Sequence, residues 1–257
     1  MSHKFKKQFG QNFLRDTESV IDLIYAAGIT AKDNVLEIGP GNGSVTEYLV
    51  EKAKRVVAVE IDVELIPKLK ERFKDSANFS VLLSDILELN PKDVFKGEPY
   101  KVVGSLPYNI SKPIIKKFLT ADNPPVCMSV LIQKEVSQDY AARPPKAMFL
   151  GTFARIYARI KAGKVVEKSK FYPTPKVDGQ ILTFSEIHKP KDAETLVKFI
   201  KLGYTSPRKK LSSNLANYEY DKAKIESFLT KENLTSSSRA SELTPAQWYN
   251  LHNYLAN

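Results

Sequence analysis

Glu37-Ile38-Gly39-Pro40-Gly41-Asn42-Gly43 lies between a short apolar run with strand character, Val35-Ile38, and a segment in which Val45, Leu49 and Ala53 recur at four-residue spacing. The first reads as a strand and the second as a helix with one apolar face. Glycines at such a junction let the backbone turn tightly and approach a ligand closely, so the stretch reads as a nucleotide-like site at a strand end. Its Gly-x-Gly-x-Gly spacing is one residue tighter than the dinucleotide fingerprint, and an acid stands two positions before the first glycine. Both features favour S-adenosylmethionine over NAD. Taken alone, the stretch is also compatible with an ordinary strand-helix turn.

Further apolar runs at Val56-Val59, Phe79-Leu83, Lys101-Gly104 and Met128-Ile132 alternate with segments of helical periodicity. That alternation predicts a parallel sheet flanked by helices. An earlier helix is expected to start at Asp16, a good N-cap, to bury Val20, Leu23, Ile24 and Ala27, and to stop at Gly28. Two later runs, near Lys164-Val166 and Gln180-Phe184, flank Tyr172-Pro173-Thr174-Pro175 and predict an antiparallel hairpin that closes the sheet. After Ile187 the strand signals vanish. Leu196, Phe199 and Ile200, then Ile225, Phe228 and Leu229, mark helices, and Thr244, Pro245 and Gln247 supply N-cap, N1 and N3 of a final capping box. The expected architecture is α/β: a Rossmann-like methyltransferase sheet with helices on both faces over residues 1–187, then a small all-helical RNA-binding domain over 188–257.

The ends of the next strands carry acids. Glu60 closes the second predicted strand, where a carboxylate can accept from both hydroxyls of a ribose. Asp85 closes the third and can accept from an adenine amine while Ile86 packs against the ring. Either acid alone could be a solvated loop carboxylate. At successive strand ends beside Gly39 and Gly41, they outline one cofactor site.

The fourth strand runs into Ser105-Leu106-Pro107-Tyr108. The exocyclic amine of adenine is a poor nucleophile because its lone pair is delocalised into the ring. Acceptors such as the Ser105 hydroxyl and the Leu106 carbonyl can hold the amine as it pyramidalises towards a sulfonium methyl. Pro107 fixes the backbone, and Tyr108 can stack on the base and stabilise the sulfonium. A base inside a helix cannot reach such a pocket, so the substrate must be single-stranded, looped or flipped. Phe171 is a candidate second stacking surface, against the alternative of a packed core residue.

The chain has 257 residues, a formal charge of +10 and 42% hydrophobic residues. A polyanion is the expected partner. Candidate phosphate contacts are Lys4, Lys6, Lys7, Arg208, Lys209 and Lys210. No apolar run approaches the roughly 20 residues of a membrane span. The basic N-terminus lacks a secretory apolar stretch, so a cytoplasmic location is expected. Cys127 is the single cysteine, and His3, His188 and His252 are scattered, so neither a disulfide nor a metal is expected.

These motifs resemble those of the small-subunit ribosomal RNA adenine dimethyltransferases, the KsgA family, over nearly the whole chain. The matching stretches are Phe9-Gly10-Gln11-Asn12-Phe13-Leu14, Glu37-Ile38-Gly39-Pro40-Gly41, Leu106-Pro107-Tyr108-Asn109-Ile110, Gln133-Lys134-Glu135-Val136 and Pro175-Lys176-Val177-Asp178, with weaker ones at Arg208-Lys209 and Arg239-Ala240. The resemblance implies cofactor contacts at Asn12, Leu14, Gly39, Glu60, Asp85 and Ser105. It also implies dimethylation of two adjacent adenines near the 3′ end of small-subunit RNA. The expected partner is ribosomal RNA or the immature small subunit, and a monomer is expected. Ser105 stands where the family usually has Asn, Asp139 where an Arg is expected, Met148-Phe149 in place of Tyr-Gly, and Pro207 in place of one Arg. The related Erm-type enzymes, which modify large-subunit RNA, are a second reading. A non-catalytic RNA-binding assembly or transcription factor on the same fold is a third, and an NAD oxidoreductase is disfavoured by the glycine spacing.

Overall fold

A parallel strand needs a crossover to reach its neighbour, and the alternating pattern supplies one after each run. The computed structural model describes residues 12–256. The chain begins with a two-residue strand β1 (Phe13–Leu14), then α1 (Thr17–Ala26), β2 (Asn34–Ile38), α2 (Ser44–Lys52), β3 (Arg55–Glu60), α3 (Ile66–Arg72) and β4 (Phe79–Leu83). It continues with α4 (Pro91–Phe95), β5 (Tyr100–Ser105), α5 (Ser111–Thr120), β6 (Cys127–Gln133), α6 (Lys134–Ala141) and α7 (Phe149–Tyr157). Next come β7 (Arg159–Val166), β8 (Phe171–Tyr172) and β9 (Gly179–Ser185). The final helices are α8 (Ala193–Gly203), α9 (Leu211–Ala216), α10 (Lys222–Lys231) and α11 (Pro245–Ala256).

Strands β2 to β6 pair in parallel, and the seven-stranded sheet has the order β4-β3-β2-β5-β6-β9-β7. The expected hairpin closes it: β9 runs antiparallel to both β6 and β7, with Phe184 opposite Met128 on one side and Ile160 on the other. The chain steps outward from β2 through β3 to β4, then returns to β5 on β2's other side. The order therefore reverses between β2 and β5, where open α/β sheets bind their ligands. Every residue of β2 is buried, as continuous apolar strands covered on both faces must be.

Asp16 caps α1 by accepting from the Ser19 N–H at 2.9 Å, and Val20, Leu23, Ile24 and Ala27 are buried as expected. These side chains pack with Val45 and Leu49 of α2 and with Val35, Val56, Val103 and Leu131 of the sheet. Full burial of each such aliphatic side chain contributes roughly 1.5–3 kcal/mol.

The chain divides into two units. One runs to Ser137 and resumes over Arg159–His188; the other combines Gln138–Ala158 with the chain from Lys189 onward. This corrects the expected single boundary after residue 187, because the segment around α7 belongs with the C-terminal helices. Its side chains explain why: the Thr152 and Tyr204 hydroxyls lie 2.8 Å apart, Phe149 meets Tyr204 edge-on, and the Ala147 N–H donates to Ser241 O at 3.0 Å. Within this unit Trp248 is fully buried against Phe199 and Tyr204. The capping box of α11 is formed, with Gln247 N–H donating to Thr244 Oγ1 at 3.2 Å and Thr244 N–H to Gln247 Oε1 at 2.9 Å.

Candidate active site

The glycine-rich turn leaves β2 with Gly39, Gly41 and Gly43 all at positive φ, of 64°, 58° and 87°. Gly39 donates its N–H to Val59 O at 3.0 Å, which pins the turn to β3. A Cβ on Gly41 would lie 2.7 Å from the Phe13 ring, so β1 lies close over the turn, whereas a Cβ on Gly39 would meet no atom within 4 Å. The backbone at Gly39 is thus open to a ligand in a cleft lined by Asn12, Leu14, Glu60, Ser105, Pro107 and Tyr108, among others.

Glu60, at the end of β3, is 5% exposed. Its Oε1 accepts from Ile61 N–H at 3.0 Å and Asp62 N–H at 2.9 Å, while Oε2 takes one longer bond, 3.3 Å, from Gly41 N–H. Burial pushes its carboxyl pKa above the ordinary range, against the pull of those N–H groups. Glu37 is 1% exposed and accepts from the Thr46 hydroxyl at 2.7 Å. Burial, with the adjacent Glu60 adding to it, pushes Glu37 up to about 8. The partnership with Thr46 was invisible in the sequence, since it joins a strand end to the next helix across nine residues with no periodic signal.

A second cleft shares Gly39 and Pro107 with the first and is lined by Ile38, Val59, Ile61, Asp85, Ile86, Ile110 and Ile114. It is an apolar slot with one carboxylate at its edge, which suits a flat purine ring carrying an amine. Asp85 is fixed by accepting from Leu87 N–H at 2.8 Å, and Ile86 is 6% exposed within the wall. The two clefts adjoin at Gly39 and Pro107, and each carries one carboxylate able to accept hydrogen bonds, Glu60 in the first and Asp85 in the second.

Ser105 is the last residue of β5 and lines the first cleft with Leu106, Pro107 and Tyr108. Leu106 donates its N–H to Leu131 O at 3.0 Å, and no donor among the described residues is bonded to its carbonyl. The Tyr108 hydroxyl is buried and has no hydrogen-bond partner among the described residues. Burial, followed by the charges of Asp178 and Glu135, pushes it up to about 12, so the phenol stays protonated. Asp178 and Glu135 come from two of the family-like stretches, joined where Lys134 N–H donates to Asp178 O at 3.0 Å.

Phe171 lines the same cleft but is only 3% exposed, packed with Leu14, Leu131 and Ile181. Little of its ring face is open, which favours the core reading. Arg208, Lys209 and Lys210 are all exposed, immediately before α9 in the helical unit. Lys4, Lys6 and Lys7, and the Phe9-Gly10-Gln11 part of the first motif, lie outside the described residues. Of the departures, Phe149 is packed against Phe153 and Tyr204 within the helical unit, and Met148 is 47% exposed. Among the described residues, no group of three or more His, Cys, Asp or Glu side chains could hold a metal ion, and no helix is long and apolar enough to cross a membrane.

A protein-family model described as "Ribosomal RNA adenine dimethylase" matches residues 2–257. The chain belongs to this family. Its chemistry is therefore S-adenosylmethionine-dependent methyl transfer to ribosomal RNA adenine. Among curated relatives, a "Ribosomal RNA small subunit methyltransferase A" of Streptococcus gordonii is 36% identical, over 93% of this chain and 88% of that protein. A protein of the same name from Dehalococcoides mccartyi is 34% identical, over 96% and 87%. The solved 23S rRNA methyltransferase ErmE shares the fold of this rRNA adenine dimethylase with a TM-score of 0.80 at 24% identity, over 95% of this chain and 100% of that one. A dimethyladenosine transferase from Plasmodium falciparum does so with a TM-score of 0.76 at 21% identity, over 93% and 95%.

Proposed function

We propose that the protein methylates the N6 amines of two adjacent adenines near the 3′ end of small-subunit ribosomal RNA, acting as a monomer on immature subunits and without a metal. The observation that carries this reading is the convergence of Ser105, Leu106 and Tyr108 with Gly39 and Glu60 on one cleft at the switch between β2 and β5. Likeness to the small-subunit enzymes in sequence, at over 30% identity across most of the chain, supports that target over a large-subunit one.

S-adenosylmethionine supplies a methyl group made electrophilic by its sulfonium. Glu60 would accept from the cofactor's ribose hydroxyls, Asp85 would accept from its adenine amine, and Ile86 would pack on that ring. On the substrate side, the Ser105 hydroxyl and Leu106 carbonyl accept from the target amine and aim its lone pair. Pro107 fixes the carbonyl's direction. Tyr108, half-buried with its hydroxyl turned inward, stacks on the base, with Phe171 beside it in the wall. Arg208, Lys209 and Lys210, with Lys4, Lys6 and Lys7, contact phosphates and hold the particle.

The test is transfer of labelled methyl to immature small subunits, followed by mass spectrometry of the adenines. Label on two neighbouring adenines is expected; label confined to other nucleotides overturns the target. Ser105, shorter than the Asn usual in the family, is the observation that favours a second reading, an RNA-binding factor on this fold that binds cofactor and subunits but labels nothing.

A further inference from the structure

Strands β1 and β8 pair antiparallel, Phe13 opposite Tyr172 and Leu14 opposite Phe171. Phe13, Leu14 and Phe171 line the cleft, and Arg15 and Tyr172, each the next residue along its segment, lie beside them outside that lining. There the Arg15 guanidinium sits 4.0 Å from the centre of the Tyr172 ring. Arg15 is exposed and Tyr172 is 44% exposed.

The arrangement is held in place. Arg15 donates its backbone N–H to Lys170 O at 3.0 Å, which anchors the end of β1. The carboxylate next to it, Asp16, is engaged by Lys170 Nζ at 3.0 Å and by the Ser19 N–H at 2.9 Å. No carboxylate among the described residues pairs with the guanidinium itself. A guanidinium held over a ring face still has N–H groups to offer, and its planar fork matches the two oxygens of a phosphodiester. A base turned out of its stack rotates about its own backbone, so the phosphates on either side of it stay at the mouth of the pocket.

We propose that Arg15, laid on Tyr172, binds the phosphodiester of a nucleotide flanking the target adenine. The inference rests on the reading of the cleft as an RNA adenine pocket and adds to it a contact that orients the strand at the rim. Tyr172 acts as a positioning residue, since it touches the guanidinium and not the RNA.

Four variants test it on the full chain: Arg15→Gln, Arg15→Lys, Tyr172→Leu and Tyr172→Phe. Affinity for immature small subunits, measured across a salt series, is read apart from methyl-transfer rates and from cofactor affinity. For Arg15→Gln the expected result is a KM for subunits raised about tenfold, a kcat within about twofold and unchanged cofactor affinity. Its salt slope should be shallower by about one counterion. Arg15→Lys keeps the slope but binds several-fold more weakly, because a point charge lacks the fork. Tyr172→Phe matches wild type, and Tyr172→Leu falls between wild type and Arg15→Gln. An Arg15→Gln protein with wild-type KM and slope overturns the contact. So does one that instead loses thermal stability and cofactor affinity, which would make the stacked pair a brace for β1. A wild-type protein that binds subunits but transfers no methyl overturns the proposed reaction alone, and the salt slopes still decide the contact.

Discussion

At the scale of single residues, two substitutions separate binding from chemistry. Tyr108→Ala removes the stacking face but none of the Gly39, Glu60 or Asp85 contacts, so cofactor affinity should stay within a few-fold while kcat falls on the order of 100-fold. Isothermal titration and single-turnover rates read the two quantities, and full turnover would show that the base is held elsewhere. Ser105→Ala removes one of two acceptors for the target amine and should cost on the order of 10–100-fold in kcat with little change in KM. An undiminished rate would leave the Leu106 carbonyl as the sole acceptor. Glu37 gives a pH prediction. Its carboxyl is raised by burial from 4.5 to about 8, so the folded state holds the proton more tightly than the unfolded chain does. Its contribution to stability is therefore fully present below about pH 4.5 and is lost as pH rises through about 8. Relative to Glu37→Gln, the wild-type stability should fall across that window with a slope approaching about 1.4 kcal/mol per pH unit. Denaturant midpoints at a series of pH values check this, and a constant difference between the two proteins would place the charge of Glu37 in a better-solvated setting.

At the scale of elements, what could be read depended on whether a segment's signal was local. The five parallel strands were legible because each is a short apolar run bounded by turn residues, and the place of Ser105 and Glu60 at one cleft was legible because they end such runs. The cap of α1 at Asp16 and the box at Thr244 were equally local, a side chain and an N–H three residues away. α7 was not legible in this sense. Phe149, Phe153 and Ile156 give it an apolar face, but nothing in Phe149–Tyr157 says whether that face meets the sheet or the later helices. The choice is made by partners such as Tyr204, about fifty residues on. Thr152→Val removes the 2.8 Å hydroxyl pair with Tyr204 while keeping the side chain's shape, and should cost about 1 kcal/mol. Hydrogen exchange should then show faster opening of α7 and α8 amides with β2 and β5 amides unchanged. Equal loss of protection in the sheet would mean that the segment is stabilised with the sheet after all.

At the scale of the whole molecule, charge was legible long before its use. A net charge of +10 says that a polyanion is favoured, but it cannot say which cations face it. Much of the first unit's basic surface is spent on internal pairs, such as Lys164 with Glu18 and Asp22, Arg72 with Glu47, and Lys101 with Asp33. Arg208, Lys209 and Lys210 differ, being consecutive, exposed and without an ion pair among the described residues. They sit on a turn fixed from within, where Asn214 Nδ2 donates to Gly203 O at 2.7 Å and Ser206 O at 3.0 Å. Three consecutive unpaired cations on a hydrogen-bonded turn can each neutralise one phosphate, and each such contact should release close to a full counterion. Replacing all three with Gln should weaken subunit binding at low salt by tenfold or more and reduce the slope of log affinity against log salt by about 2–3. Cofactor affinity should not move. If the triple variant kept the wild-type slope, the phosphates would be held by cations elsewhere, and the turn's fixed geometry would serve only the packing of α9.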